Sequence, residues 1–173
     1  MRYRELRRRC DRHIRSLVDA GDLPDPFTLD EFLAKLEARR GRSIVLRPSD
    51  YVPGRACGMW LQLADVDVIV YARTAPLHEE HIVLHEVGHM LYEHRSAIGL
   101  SDDVARMLMP DLDPAMVRSL LNRGSYTDTE EQEVELFATL LLERVADRRP
   151  ADESGLDADL APQMDRLRST FNG

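Results

Sequence analysis

His85-Glu86-Val87-Gly88-His89, inside an apolar run from Ile82 to Leu91, decides how this 173-residue chain is read. Two histidines four residues apart on an α-helix stand on one face, one turn from each other. Their imidazoles can close on a single ion, while a glutamate one step after the first histidine lies beside the site. In this H-E-x-x-H spacing the two histidines bind a metal ion, typically zinc, and the glutamate acts as general base. The flanking residues agree with a helix. Thr74-Ala75-Pro76 supplies a start with Pro in the first turn. Ile82, Val83, Leu84, Val87, Met90 and Leu91 give apolar surface on most sides, which predicts a central buried helix running to about Glu93. Gly88 inside it is unfavourable by about 1 kcal/mol against Ala. Its presence points to close approach of something there, a strand or a substrate backbone.

Upstream, two β-rich runs at Met59–Leu63 and Val66–Tyr71, joined around Ala64-Asp65, predict a tight hairpin. Ser43–Arg47 reads as a short strand stopped by Pro48, and 49–58 as a loop. Thr28-Leu29-Asp30-Glu31 is a capping-box pattern; it opens a helix with Phe32, Leu33 and Leu36 as its apolar stripe and Gly41 as its C-cap. Before it, Tyr3, Leu6, Cys10, Ile14, Leu17 and Val18 recur at helical steps, so residues 2–19 form a basic amphipathic helix ended by Gly21 and Pro24-Asp25-Pro26. Downstream, 95–128 is looser, with short helices expected at Ser101–Leu108 and from Asp113-Pro114 to before Gly124. Glu130–Asp147 is a strong helix with Val134, Phe137, Ala138, Leu141 and Leu142 on one face. The order of these elements predicts an α+β domain, mostly helical, with a small, partly antiparallel sheet beside the H-E-x-x-H helix. That domain covers 1–147. The remainder, 148–173, reads as a polar, loosely attached tail with a weak helix at Asp157–Thr170.

Composition narrows the function. With 43% hydrophobic and 31% charged residues the chain reads as a soluble globular protein. A net charge of −8 argues against nucleic acid as its main partner. The charge is uneven: residues 1–15 hold seven arginines against Glu5 and Asp11, so that segment is +5 and the remainder −13. The basic helix lacks a second helix at helix-turn-helix distance, so direct DNA binding has no frame, and a solvated face packed on its own domain is the expectation. Cys10 and Cys57 make no disulfide framework. No apolar segment follows the basic start and no uncharged run approaches 18 residues, so neither a signal peptide nor a membrane span is expected. The expected location is cytoplasmic.

A zinc ion needs a third protein ligand and an open fourth position. The late helix offers Glu130, Glu131, Glu133 and Glu135. Acidic residues at a helix start also suit its macrodipole. Glu131, Val134, Glu135 and Ala138 share a face, so Glu131 and Glu135 can turn together towards His85 and His89. Glu131 is the expected ligand, and Glu135 the acceptor for a ligand histidine's other N–H. His81, one turn before His85, could add a ligand but is expected to line the cleft or face water, because three histidines of one helix seldom converge on one tetrahedral ion, and Trp60 is expected to pack on the core. Tyr126, Tyr92, His94 and Arg123 are the candidate donors to an oxyanion.

His85-Glu-Val-Gly-His89, followed by Glu131-Gln-Glu-Val-Glu-Leu-Phe137-Ala138 and Leu140-Leu-Leu142, resembles the ImmA/IrrE family of zinc metallopeptidases over about residues 40–145. The resemblance implies a zincin-like domain, with His85, His89 and Glu131 as zinc ligands and Glu86 as the catalytic glutamate. It also implies a protein substrate, a helix-turn-helix transcriptional regulator of mobile elements, stress responses or toxin–antitoxin modules. The chain departs from the family pattern at Val134 (usually Ala), Glu135 (Asn or Asp) and Glu143 (where Met-Pro is common). Three classes follow: a peptidase cutting a regulatory protein, a metal-binding module that holds such a partner without cutting it, and a DNA-binding regulator. Glu86 favours the first, since a purely structural metal site has no use for a carboxylate beside it.

Overall fold

The computed structural model describes residues 3–50, 57–63, 65–94 and 126–148. Among them are four helices and a three-stranded mixed sheet, an α+β arrangement. In chain order they are α1 (Tyr3–Asp19), α2 (Leu29–Arg40), β1 (Ser43–Ser49), β2 (Gly58–Gln62), β3 (Val66–Ala72), α3 (Pro76–Leu91) and α4 (Asp128–Val145), with a 3-10 turn at Ala146–Arg148. The short helices expected within 101–124, and the tail beyond Arg148, lie outside the described residues.

The sheet order is β1-β3-β2, with β1 parallel and β2 antiparallel to β3. β3 is central, and its run of Val68, Ile69 and Val70 is buried on both faces. The expected hairpin is present, closed by Leu63 N–H donating to Val66 O at 2.9 Å. β1 does not stop at Pro48 but runs through it to Ser49. The reason is its place at the sheet edge. Ser49 O accepts from Arg73 N–H on the β3 side, so the missing N–H of the preceding residue points outward, where no ladder bond is lost.

α3 packs on β2 and β3, α4 packs on α3, and α1 covers α4, so α3 is enclosed on both sides. One apolar core runs from Leu6 in α1 to Val145 in α4. Within α1, Leu6, Cys10, Ile14 and Leu17 are buried as the helical spacing requires, but Tyr3 at the helix start is exposed. α2 starts at Thr28, whose hydroxyl accepts from Glu31 N–H, and ends at Gly41 with φ of 65°, where its N–H bonds Glu37 O. Asp67, which the alternation of β3 does not single out, is fully buried. It accepts from Trp60 Nε1 at 3.1 Å and pairs with Arg40 at 3.0 Å and Arg42 at 3.4 Å, fixing the sheet to the end of α2. No helix among the described residues is long and apolar enough to cross a membrane.

Candidate metal centre

Gly88 sets how closely α3 meets α4. A Cβ at this position would lie 3.0 Å from Val134 Cβ, 3.1 Å from Val134 Cγ1 and 3.2 Å from Phe137 Cδ1. The close neighbour is therefore the second acidic helix, not the strand or substrate backbone expected from sequence. α4 itself begins with a full capping box: Thr127 accepts from Glu130 N–H, and the Glu130 carboxylate takes Thr127 N–H at 2.8 Å. Those bonds hold the Glu130 carboxyl below its usual range and occupy it with the cap. Helical rotation then carries Glu131 and Glu135 to the α3 side.

The three predicted ligands meet. His85 Nε2 and His89 Nε2 lie 3.2 Å apart, and Glu131 oxygens stand 3.3 Å from the first and 3.8 Å from the second. Ligand atoms about 2.0–2.2 Å from a tetrahedral centre stand about 3.3–3.6 Å from one another; 3.2 and 3.3 Å are close to that spacing, and 3.8 Å, to the other Glu131 oxygen, is slightly longer. All three ligand atoms fall within 4.8 Å, and His85, His89 and Glu131 are the one such group found among the described residues. The residues present can hold a metal ion.

The outer nitrogens of the histidines are engaged as well. His85 Nδ1 is 3.1 Å from Glu135 Oε2, the contact expected of Glu135 if His85 binds a metal ion. Burial alone would lower the His85 pKa, but the Glu131 and Glu135 carboxylates overcome it and raise it to about 10. His89, fully buried and beside His85 and His94, is pushed down to about 2. His81 faces the other Glu135 oxygen at 3.8 Å, along the cleft and outside the ligand group, as expected.

Glu86 is 4% exposed and accepts a hydrogen bond from Trp60 N–H on β2. Burial pushes its pKa up to about 7, against the pull of His85 and of that N–H. Its Oε2 has no hydrogen-bond partner among the described residues. The strand approaches so closely because residue 58 is Gly: a Cβ there would lie 2.7 Å from Glu86 Oε1 and from Ile82 Cγ2. Leu63 N–H and Cys57 O both bond towards β3, so alternation turns the backbone groups of Gly58, Trp60 and Gln62 to the free edge of β2. The general-base candidate thus sits on a strand edge, a placement that spacing within α3 does not reveal.

Of the four oxyanion candidates, Tyr126 lies at the site, its ring stacked on His89 with centroids 3.5 Å apart and an 8° interplanar angle. Arg123 lies outside the described residues. Tyr92 turns towards α1, where it interacts with Cys10 and lies under the Arg9 guanidinium. His94 is held elsewhere: its Nδ1 is 3.2 Å from His89 Nδ1, and its Nε2 is 3.5 Å from Glu133 Oε2. Glu133, two residues past Glu131, is about 200° around the helix and 2% exposed. Arg9 Nε approaches it at 2.8 Å. Sequence patterning gave neither residue this role; the one signal was an acidic residue on the apolar side of α4. No family model, curated protein or solved structure matches the chain.

Proposed function

We propose that the chain is a zinc-dependent endopeptidase with a zincin-like domain, acting on a regulatory protein of the helix-turn-helix kind. One observation carries the reading: His85, His89 and Glu131 converge within ligand distance while Glu86, not a member of that group, stands buried beside them with one carboxylate oxygen that meets no partner among the described residues. Two imidazoles and one carboxylate leave a tetrahedral ion an open position, the pattern of catalytic rather than structural zinc. The resemblance to the ImmA/IrrE family on the same residues supports the choice of metal and the substrate class.

Zinc bound by His85, His89 and Glu131 supplies a Lewis acid that makes water a nucleophile near neutral pH and polarises a carbonyl. Glu86 Oε2 takes the proton of the attacking water and returns it to the leaving amine. Trp60 N–H fixes the other side of that carboxylate. The free edge of β2 can pair an extended peptide, with Gly58 and Gln62 offering outward backbone groups on either side of Glu86. Tyr126, stacked on His89, is the donor proposed for the developing oxyanion.

Glu86→Gln tests the assignment. The purified variant should keep close to one zinc per chain and lose about 10²–10⁴-fold in cleavage, measured on a helix-turn-helix protein encoded by the neighbouring gene and on a quenched peptide library. Undiminished cleavage would remove Glu86 as the base. A zinc-loaded wild-type chain that binds such a partner and never cuts it would turn the reading into the non-cutting module.

A further inference from the structure

The end of α3 is shaped to return His94 onto His89. Glu93 has φ of 55°, the left-handed region that a residue other than Gly adopts at a cost. His94 N–H bonds His89 O at 3.0 Å and Glu93 N–H reaches Met90 O at 3.4 Å, the paired bonds of a Schellman turn. The two imidazoles then face each other through Nδ1 at 3.2 Å, and charge contacts follow: His94 Nε2 lies 3.5 Å from Glu133 Oε2, and Arg9 Nε 2.8 Å from Glu133 Oε1. Three elements contribute one link each: the close of α3, the hidden side of α4, and α1.

With both imidazoles neutral, proton placement along this chain has one consistent solution. Two facing Nδ1 atoms need one donor and one acceptor. If His94 donated, its own Nε2 would turn a lone pair on the Glu133 carboxylate, and the His89 proton would sit on Nε2, facing His85 Nε2. If His89 donates from Nδ1, the His94 proton sits on Nε2 against Glu133, and His89 Nε2 presents a lone pair to the ligand group. The second arrangement leaves no like groups opposed.

We propose that His94, Glu133 and Arg9 are positioning residues that hold His89 in its metal-binding tautomer and tie the N-terminal helix to the metal centre. The proposal rests on His85, His89 and Glu131 being that centre. It gives one arginine of the basic helix an inward task and makes metal affinity depend on a side chain of α1.

The test uses the full chain and compares zinc dissociation constants from chelator competition for the wild type, His94→Phe, His94→Gln, Glu133→Met and Arg9→Met. Visible spectra of the Co²⁺-loaded proteins and circular dichroism of the metal-free ones accompany it. His94→Phe and Glu133→Met should weaken zinc binding about 10–100-fold and shift the cobalt spectrum. His94→Gln, whose amide oxygen can accept the His89 proton, should recover part of the loss. Arg9→Met, at a side chain 48% exposed, should stay folded and weaken zinc in the same direction. Wild-type zinc affinity and an unchanged cobalt spectrum in folded Glu133→Met would overturn the proposal, even if His94→Phe failed to fold. Failure of the wild-type chain to take up zinc would sink the metal centre and this proposal together, whereas zinc uptake without cleavage would sink the peptidase alone.

Discussion

Gly88→Ala sets two effects of known size against each other. Ala is favoured over Gly in a helix interior by about 1 kcal/mol, so an unhindered site would gain that much. The site is hindered. The new methyl would stand 3.0 Å from Val134 Cβ and 3.2 Å from Phe137 Cδ1, and both side chains are fully buried. A Cβ cannot rotate away from its own backbone, so relief requires α4 to move by a few tenths of an ångström. Overpacking of this kind costs about 1–3 kcal/mol, which outweighs the helix gain and leaves a net loss of about 1 kcal/mol. The displacement falls beside His89 and between the helices that carry the ligands. Metal sites tolerate only about ±0.2 Å in ligand distance, so zinc affinity should fall about tenfold, near 1.4 kcal/mol. Urea unfolding of the metal-free chain and chelator competition of the loaded one measure the two numbers. Adding Val134→Ala removes the Cγ1 contact and should restore part of both, with a coupling above about 0.5 kcal/mol. A single variant that is more stable, with zinc affinity intact, would refute the view that this contact spaces the ligands.

Other expectations follow from the same geometry. Glu131→Ala should strip zinc from the chain while Glu130→Ala, at the cap, leaves stoichiometry unchanged and costs about 1 kcal/mol of stability; metal analysis showing the reverse would move the ligand. The metal-free chain should lose stability as pH rises from about 6.5 to 10: a folded-state His85 pKa raised to about 10 means the native state holds a proton that the unfolded state releases. Saturating zinc keeps His85 unprotonated and should abolish that slope, so parallel melting curves with and without zinc across this range would contradict the ligand assignment. Asp67→Ala strands Trp60 Nε1 and two arginines and should cost about 3 kcal/mol in chemical unfolding with the zinc constant unchanged; a change below about 1 kcal/mol would show that the cluster is not a structural tie.

The parts of this molecule legible in sequence are those governed by local periodicity. H-E-x-x-H on a helix and the face shared by Glu131 and Glu135 follow from 3.6 residues per turn, and the structure brings those two faces together. Capping and turn chemistry likewise placed Thr28, Gly41 and the hairpin. What sequence missed depends on partners distant in the chain. Pro48 was a stop only while β1 had no position in a sheet; at an edge it is tolerated. Gly88 announced a close approach but not by what. Glu133 looked like one of several acids, because its meaning comes from Arg9, more than a hundred residues earlier, and from a helix ending that lacks the usual Gly. The Gly58 backbone against Glu86 is equally a matter of which strand lies at the edge.

The distribution of charge over α4 ties these features together. One face presents Glu131 and Glu135 to His85, where they raise its pKa so that a proton supplies the positive charge which a metal ion would supply when bound. On the hidden side, Glu133 is charge-paired with Arg9. Neutral His89 stands between these two regions, linked to Glu133 through His94. A cation is thus attracted to one side of the helix only, because the carboxylate on the other side is already neutralised. That division gives the basic N-terminal helix an electrostatic reason to dock on an acidic domain without invoking a nucleic acid. It also leaves the Glu131 carboxylate, at the exposed rim of the group, available to a metal while Glu135 stays engaged with His85.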